Sequence, residues 1–124
     1  MNIPATSLRF YRNADGMMFA DAWGDPKTGA HSNFIRIPGG TTSPLHLHTS
    51  SYYGVVITGV VANERGVTDP DRPLMAGSYW YQKGREGHVT KCISQTECLI
   101  FVTSSGPFDF VVLTKPTAAG ETAH

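Results

Sequence analysis

No part of this 124-residue chain is apolar for the roughly 20 residues that a membrane-spanning helix needs. The opening Met1-Asn2-Ile3-Pro4 also lacks the basic-then-apolar build of a secretory signal. The chain is therefore expected in the cytoplasm and off the membrane. An excess of charge is missing as well: ten Lys and Arg stand against ten Asp and Glu, with no run of either sign. That balance argues against electrostatic capture of nucleic acid or of anionic lipid, and leaves small molecules and further copies of the chain as expected partners. Cysteine is scarce. Cys92 and Cys98 are the two in the chain, and without a secretory signal both are expected as reduced thiols rather than as a disulfide. Internal repeats, low-complexity tracts and convincing helical periodicity are absent too, and the length suits one core, not two.

What is present is punctuation. Thirteen glycines and eight prolines are scattered at intervals and cut the chain into short segments, the rhythm of an all-β sandwich or barrel. Residues 1–16 read as an N-terminal arm, an edge strand or a swapped strand. Residues 17–114 read as the barrel, and the small, polar residues 115–124 as a flexible tail. Strands are predicted over 17–23 and 32–37, joined by a turn at 24–29, then over 52–63 with a tight turn or bulge at Gly59. The polar stretch 64–73 is expected to be a surface loop. Segments 74–82 and 88–93 flank the glycine turn at 83–87, and segments 97–103 and 108–114 are predicted to form a last hairpin.

The chemistry gathers in two of these stretches. Strand side chains alternate between faces, so in Pro44-Leu45-His46-Leu47-His48 both imidazoles point one way and both leucines the other. A third histidine, His88, follows Gly87 in the second stretch. If the stretches face each other, three neutral nitrogen donors surround one point.

These stretches resemble the paired motifs of the cupin superfamily. Gly40, His46, His48 and Gly59 fit the first motif, and Gly77 and His88 the second, over a likeness that spans residues 17–113. The run 23–30 and the run 34–39 are also similar to small bacterial cupins. The resemblance implies a double-stranded β-helix, or jelly-roll barrel, in a single domain, a homodimer, and one divalent transition metal per subunit. Two positions depart from the pattern: Tyr52 stands in the usual glutamate slot and Cys92 in the usual asparagine slot. The carboxylate ligand of many cupins is thereby lost, and the implied shell is His46, His48 and His88 alone. Iron(II) is favoured, while zinc, nickel, copper and manganese accept the same imidazoles.

Open coordination positions point to catalysis, and cupins with three histidines and no glutamate include dioxygenases that cleave β-diketones. The resulting expectation is an iron(II)-type dioxygenase acting on a small organic substrate. The alternatives are a ligand- or metal-sensing module without catalysis, and a zinc- or nickel-dependent lyase, isomerase or hydrolase. Tyr52 is the candidate proton donor or hydrogen-bond partner of substrate, with space-filling as the competing role. Gln82 is the candidate substrate orienter, with a hydrogen bond to barrel backbone as the competing role. His31 and His124 fall outside the motifs and are not expected as ligands. Arg36 is expected to reach solvent from the outer face, and Glu86 to be a solvated loop charge. Cys92 and Thr90 share the phase of His88; Cys92 is expected as a small core residue. Phe101, Phe108 and Phe110 belong to the core or to a pocket.

Overall fold

Period-two burial along the strands builds the molecule. In the computed structural model, which describes residues 1–65 and 72–113, a 3-10 turn at Ala5–Ser7 precedes ten strands: β1 (Tyr11–Arg12), β2 (Met18–Gly24), β3 (His31–Ile37), β4 (His46–Leu47), β5 (Tyr52–Thr58), β6 (Val61–Glu64), β7 (Tyr79–Gln82), β8 (Val89–Cys92), β9 (Cys98–Ser104) and β10 (Val111–Val112). The tail 115–124 with His124, and the centre of the expected surface loop, lie outside the described residues. Among the described residues no helix is long and apolar enough to cross a membrane.

Six strands form one antiparallel sheet in the order β1-β2-β3-β9-β5-β7. Two further pairs, β10-β4 and β6-β8, make the facing layer. They are stitched together by the bridges Thr42↔Lys91 and His46↔His88, the second with reciprocal backbone bonds of 3.0 and 2.8 Å. The result is a jelly roll, which protects strand edges that an open sheet would expose.

Register places the inward side chains in rows. His31, Ser104, Tyr52 and Gln82 lie side by side across β3, β9, β5 and β7, followed by Asn33, Val102, Gly54 and Trp80, and then by Ile35, Ile100 and Val56. The last rows join Val61, Cys92 and Cys98 in the core. Gly54 is required by its row. A Cβ there would stand 2.5–2.7 Å from the Trp80 indole, so the missing side chain is what admits the ring. Gly59 turns the chain between β5 and β6 with a positive φ of 86°, as do the motif glycines Gly40 and Gly77 at their own turns.

Two expectations are corrected. Segments 97–103 and 108–114 do not form a hairpin: β9 has β3 on one edge and β5 on the other, so no edge is left. The chain crosses instead to the facing layer, where β10 pairs with β4. Similarly β7 pairs with β5 and β8 with β6, so the turn at 83–87 links the two layers. The second correction concerns the cysteines, expected as thiols. Cys92 at the end of β8 and Cys98 at the start of β9 are joined as a disulfide. The turn between them brings their Cα atoms to 5.9 Å, a separation that a disulfide spans.

Candidate metal centre

The short strand β4 carries His46 inward, and His48 follows in the same phase just past its end. His88 precedes β8 and is the backbone partner of His46, so the layer that supplies all three imidazoles is held together at the site itself. One ring nitrogen from each lies within 4.8 Å of the others, and the ring centroids are 4.3, 4.8 and 5.2 Å apart.

The other nitrogen of each ring is occupied. His46 Nδ1–H donates to the Pro44 carbonyl at 2.8 Å, His48 Nδ1–H to the Asp109 carbonyl, and His88 Nδ1–H to Asn63 Oδ1 at 2.8 Å. Each of these acceptors fixes the tautomer with the proton on Nδ1, and every Nε2 is left as a lone pair. His88 Nε2 is buried and has no hydrogen-bond partner in the protein. Burial pushes the His46 imidazole down to about 4, against the opposing effect of the Pro44 carbonyl. Burial, reinforced by His46 and His48, takes His88 down to about 2. Burial also lowers His48, outweighing its contact with Asp109. All three are neutral near pH 7, the protonation state that coordinates a metal. Converging, neutral, tautomer-locked nitrogens, one of them orphaned, fit a divalent transition ion.

The cluster opens on a cavity of about 390 Å³. His46 and His48 line it together with Tyr52, Phe108, Phe110 and Ile100. Phe110 stacks on His46 at 4.3 Å, and Phe108 packs 5.3 Å from His48. Tyr52 lies with its ring 5.5 Å from His48, and its oxygen accepts the Trp80 indole N–H at 3.1 Å. Burial pushes its phenol up to about 12, overcoming hydrogen bonds from Trp80 and Thr90 that favour the anion. The phenol keeps its proton.

Comparison with known proteins agrees with this geometry. A family model described as ChrR Cupin-like domain matches residues 2–109. The chain belongs to this cupin family. Among solved structures it is similar to the polyketide cyclase RemF from Streptomyces resistomycificus, at 10% identity over 92% of this chain and 85% of that chain, with a TM-score of 0.75. It is similar to a Ralstonia eutropha protein of unknown function with a cupin-like fold, at 19% identity over 91% of this chain and 77% of that one, with a TM-score of 0.71. A third is the anti-sigma protein ChrR of Rhodobacter sphaeroides, solved with SigE, at 20% identity over 82% of this chain and 52% of that one, with a TM-score of 0.62. At such identities the likeness is one of fold. No curated protein matches the sequence.

The cupin's other candidate residues fall on either side of the cavity wall. Gln82 is buried beneath it: its Oε1 accepts Asn63 Nδ2–H at 3.0 Å, and its Nε2–H donates to the Lys83 and Glu86 carbonyls. With its amide occupied, Gln82 holds Asn63, which in turn holds His88. Thr90 lines the cavity, whereas Cys92 is spent in the disulfide. Arg36 sits at the cavity's edge, partly exposed, paired with Glu97 at 3.0 Å and lying over Phe10. Glu86 is exposed, its carboxylate 3.9 Å from Arg65. His31 is buried against the cavity and is not one of the clustered imidazoles. The three phenylalanines sort cleanly, Phe108 and Phe110 to the cavity and Phe101 to the far face of β9 beside Phe34. Sequence reasoning missed Asn63 and Asp109. Neither has a local signal, since each meets its histidine across 25 and 61 residues of chain respectively.

Proposed function

We propose that this cupin is a metal-dependent enzyme acting on a small, largely apolar organic molecule, with His46, His48 and His88 as ligands of one divalent transition ion and iron(II)-type dioxygenase chemistry as its reaction. The observation that carries the reading is the buried, partnerless Nε2 of His88, converging with two more imidazole nitrogens at the wall of a cavity. Structural sites close their shell with four protein ligands, whereas three leave room for substrate. Bound there, iron(II) supplies Lewis acidity and electrons for dioxygen; zinc or nickel on the same nitrogens supports lyase, isomerase or hydrolase chemistry.

The chain's own residues have separate tasks. Pro44, Asp109 and Asn63 aim the imidazoles through their Nδ1–H groups. Tyr52, protonated at neutral pH, donates its proton or a hydrogen bond to oxygen charge developing on the substrate. Phe108, Phe110 and Ile100 keep water from that oxygen, which strengthens the hydrogen bond. The test is metal analysis of the protein as purified, followed by oxygen uptake of the iron-loaded form over a panel of β-diketones, thiols and catechols. Uptake with one class supports the reading. Bound metal with no uptake on any substrate removes the dioxygenase, and absence of stoichiometric metal removes the enzyme.

One observation favours a second reading, a sensing module without turnover: the family takes its description from ChrR, and the ChrR structure is an anti-sigma complex. Saturable ligand binding with no product would select it. We also propose a homodimer, supported by the exposed Tyr53, Val55, Ile57, Tyr79 and Tyr81 on the outer face of β5 and β7.

A further inference from the structure

The metal-site proposal leaves one wall of the cavity without a role, the inward face of β3, where His31, Asn33 and Ile35 alternate. Ile35 suits an apolar chamber. Asn33 does not: its side chain is 1% exposed, it lines the cavity, and neither its Oδ1 nor its Nδ2 has a hydrogen-bond partner in the protein. Its neighbours across the sheet are Val102, which has no polar side-chain atom to offer, and the exposed Asp21, whose carboxylate accepts the Tyr11 hydroxyl instead. Burying both halves of an amide unpaired is destabilising, and a leucine, which branches at the same atom, would carry no such penalty. Among the described residues, His88 is the one other side chain with a buried, partnerless nitrogen or oxygen. The nitrogen of His88 converges with His46 and His48 and is taken by the proposed ion, whereas the amide of Asn33, which lines the cavity along with His46 and His48, is left for an organic ligand.

We infer that Asn33 is the specificity-determining residue of the chamber and that it receives a neutral primary carboxamide, carried on an otherwise apolar small molecule. The inference rests on the reading of the cavity as a substrate chamber. An asparagine amide sets an acceptor and a donor side by side, which is the complement of another amide. His31 adds to the match: its Nδ1–H donates to the Gly29 carbonyl at 3.1 Å, so its Nε2 is a further acceptor on this wall, suited to the second N–H of an NH2 group. Charge does not fit here. The charged side chains lining the cavity, Arg12, Asp15 and Arg36, are all exposed, so a carboxylate or ammonium at Asn33 would find no buried counter-charge among the chain's own side chains. The body of the ligand is set by Ile35, Ile100, Val102, Phe108 and Phe110. A volume of about 390 Å³ admits one or two rings.

Benzamide and acetophenone test this, because they share a shape and differ in the NH2 group. Calorimetric titration of the full chain, as purified and again after chelation, is expected to show benzamide binding at least about tenfold more tightly than acetophenone, a difference of the size an unpaired buried donor or acceptor imposes. The preference is expected to survive chelation, since the contact is with Asn33. Asn33→Leu should abolish it, retain the parent's metal content and melt at higher temperature without ligand. Asn33→Ala serves should the leucine variant misfold. Equal affinity for the two probes, binding of neither, or a preference that persists in the variants overturns the assignment. Metal content is read in the same samples, so loss of the metal-enzyme reading and loss of the Asn33 assignment are separate results.

Discussion

At the scale of single residues, Nε2 of His88 and the amide of Asn63 decide most. Three imidazoles gathered from two strands form a site in the folded protein alone, so a metal binding there stabilises the native state. At about a hundred times the dissociation constant the gain is about 2.7 kcal/mol. His48→Ala is expected to lose both bound metal and the metal-dependent rise in melting temperature, whereas His31→Ala keeps its metal; thermal melts with and without added ion, paired with metal analysis, read both. Retention of stoichiometric metal by His48→Ala would falsify the three-histidine site. Asn63→Ala removes the acceptor that orients His88, and metal affinity should fall about 10- to 100-fold. A competition titration against a chelator of known affinity measures it. The lowered imidazoles also set a pH dependence. His46, at about 4 when folded, takes up its proton near 6.5 when unfolded. The unfolded chain therefore binds protons first. The stability of the metal-free protein is complete above about pH 6.5 and declines as the pH falls from there toward 4. Urea midpoints at neutral and mildly acidic pH should differ in that sense, and equal midpoints would mean that the rings are not held neutral.

At the scale of elements, β5 does the most to shape the chamber. Its alternation turns Tyr52, Gly54 and Val56 inward and Tyr53, Val55 and Ile57 outward, and this was legible from the sequence because each strand obeys the period by itself. The demand on Gly54 was not legible, since it comes from Trp80 on the neighbouring strand. Gly54→Ala forces its methyl group into the indole, and overpacking of this kind costs about 1–3 kcal/mol. The denaturation midpoint should fall accordingly. The Trp80 N–H to Tyr52 bond should be disturbed with it, visible as a change in tryptophan fluorescence. β10 marks the limit of local reading. Its residues were foreseen as a strand, but its partner depends on which edges are free, and β9 has none.

At the scale of the molecule, the disulfide joins the end of β8 in one layer to the start of β9 in the other. The loop it closes is short, with the two cysteines six residues apart. The chain-entropy contribution is correspondingly small, about 2 kcal/mol. Reduction is expected to lower the melting temperature by several degrees while leaving metal content unchanged, because neither cysteine touches the imidazoles; a melt in reductant with parallel metal analysis checks this. For the proposed homodimer, light scattering should return twice the 13.5 kDa chain mass across a dilution series.

The sequence alone determined the all-β class, the inward phase of His46 and His48, the turn glycines and the cupin likeness, because strand alternation and backbone sterics act over a few residues. Three features depended on the tertiary structure: the pairing of β10 with β4, the disulfide between Cys92 and Cys98, and the hold of Asn63 and Asp109 on the histidines. Each depends on how strands pair or on how the two layers face one another, not on the local sequence. The orphaned amide of Asn33 belongs with them. Its inward phase could be counted along β3, but its lack of a partner is a property of everything packed around it.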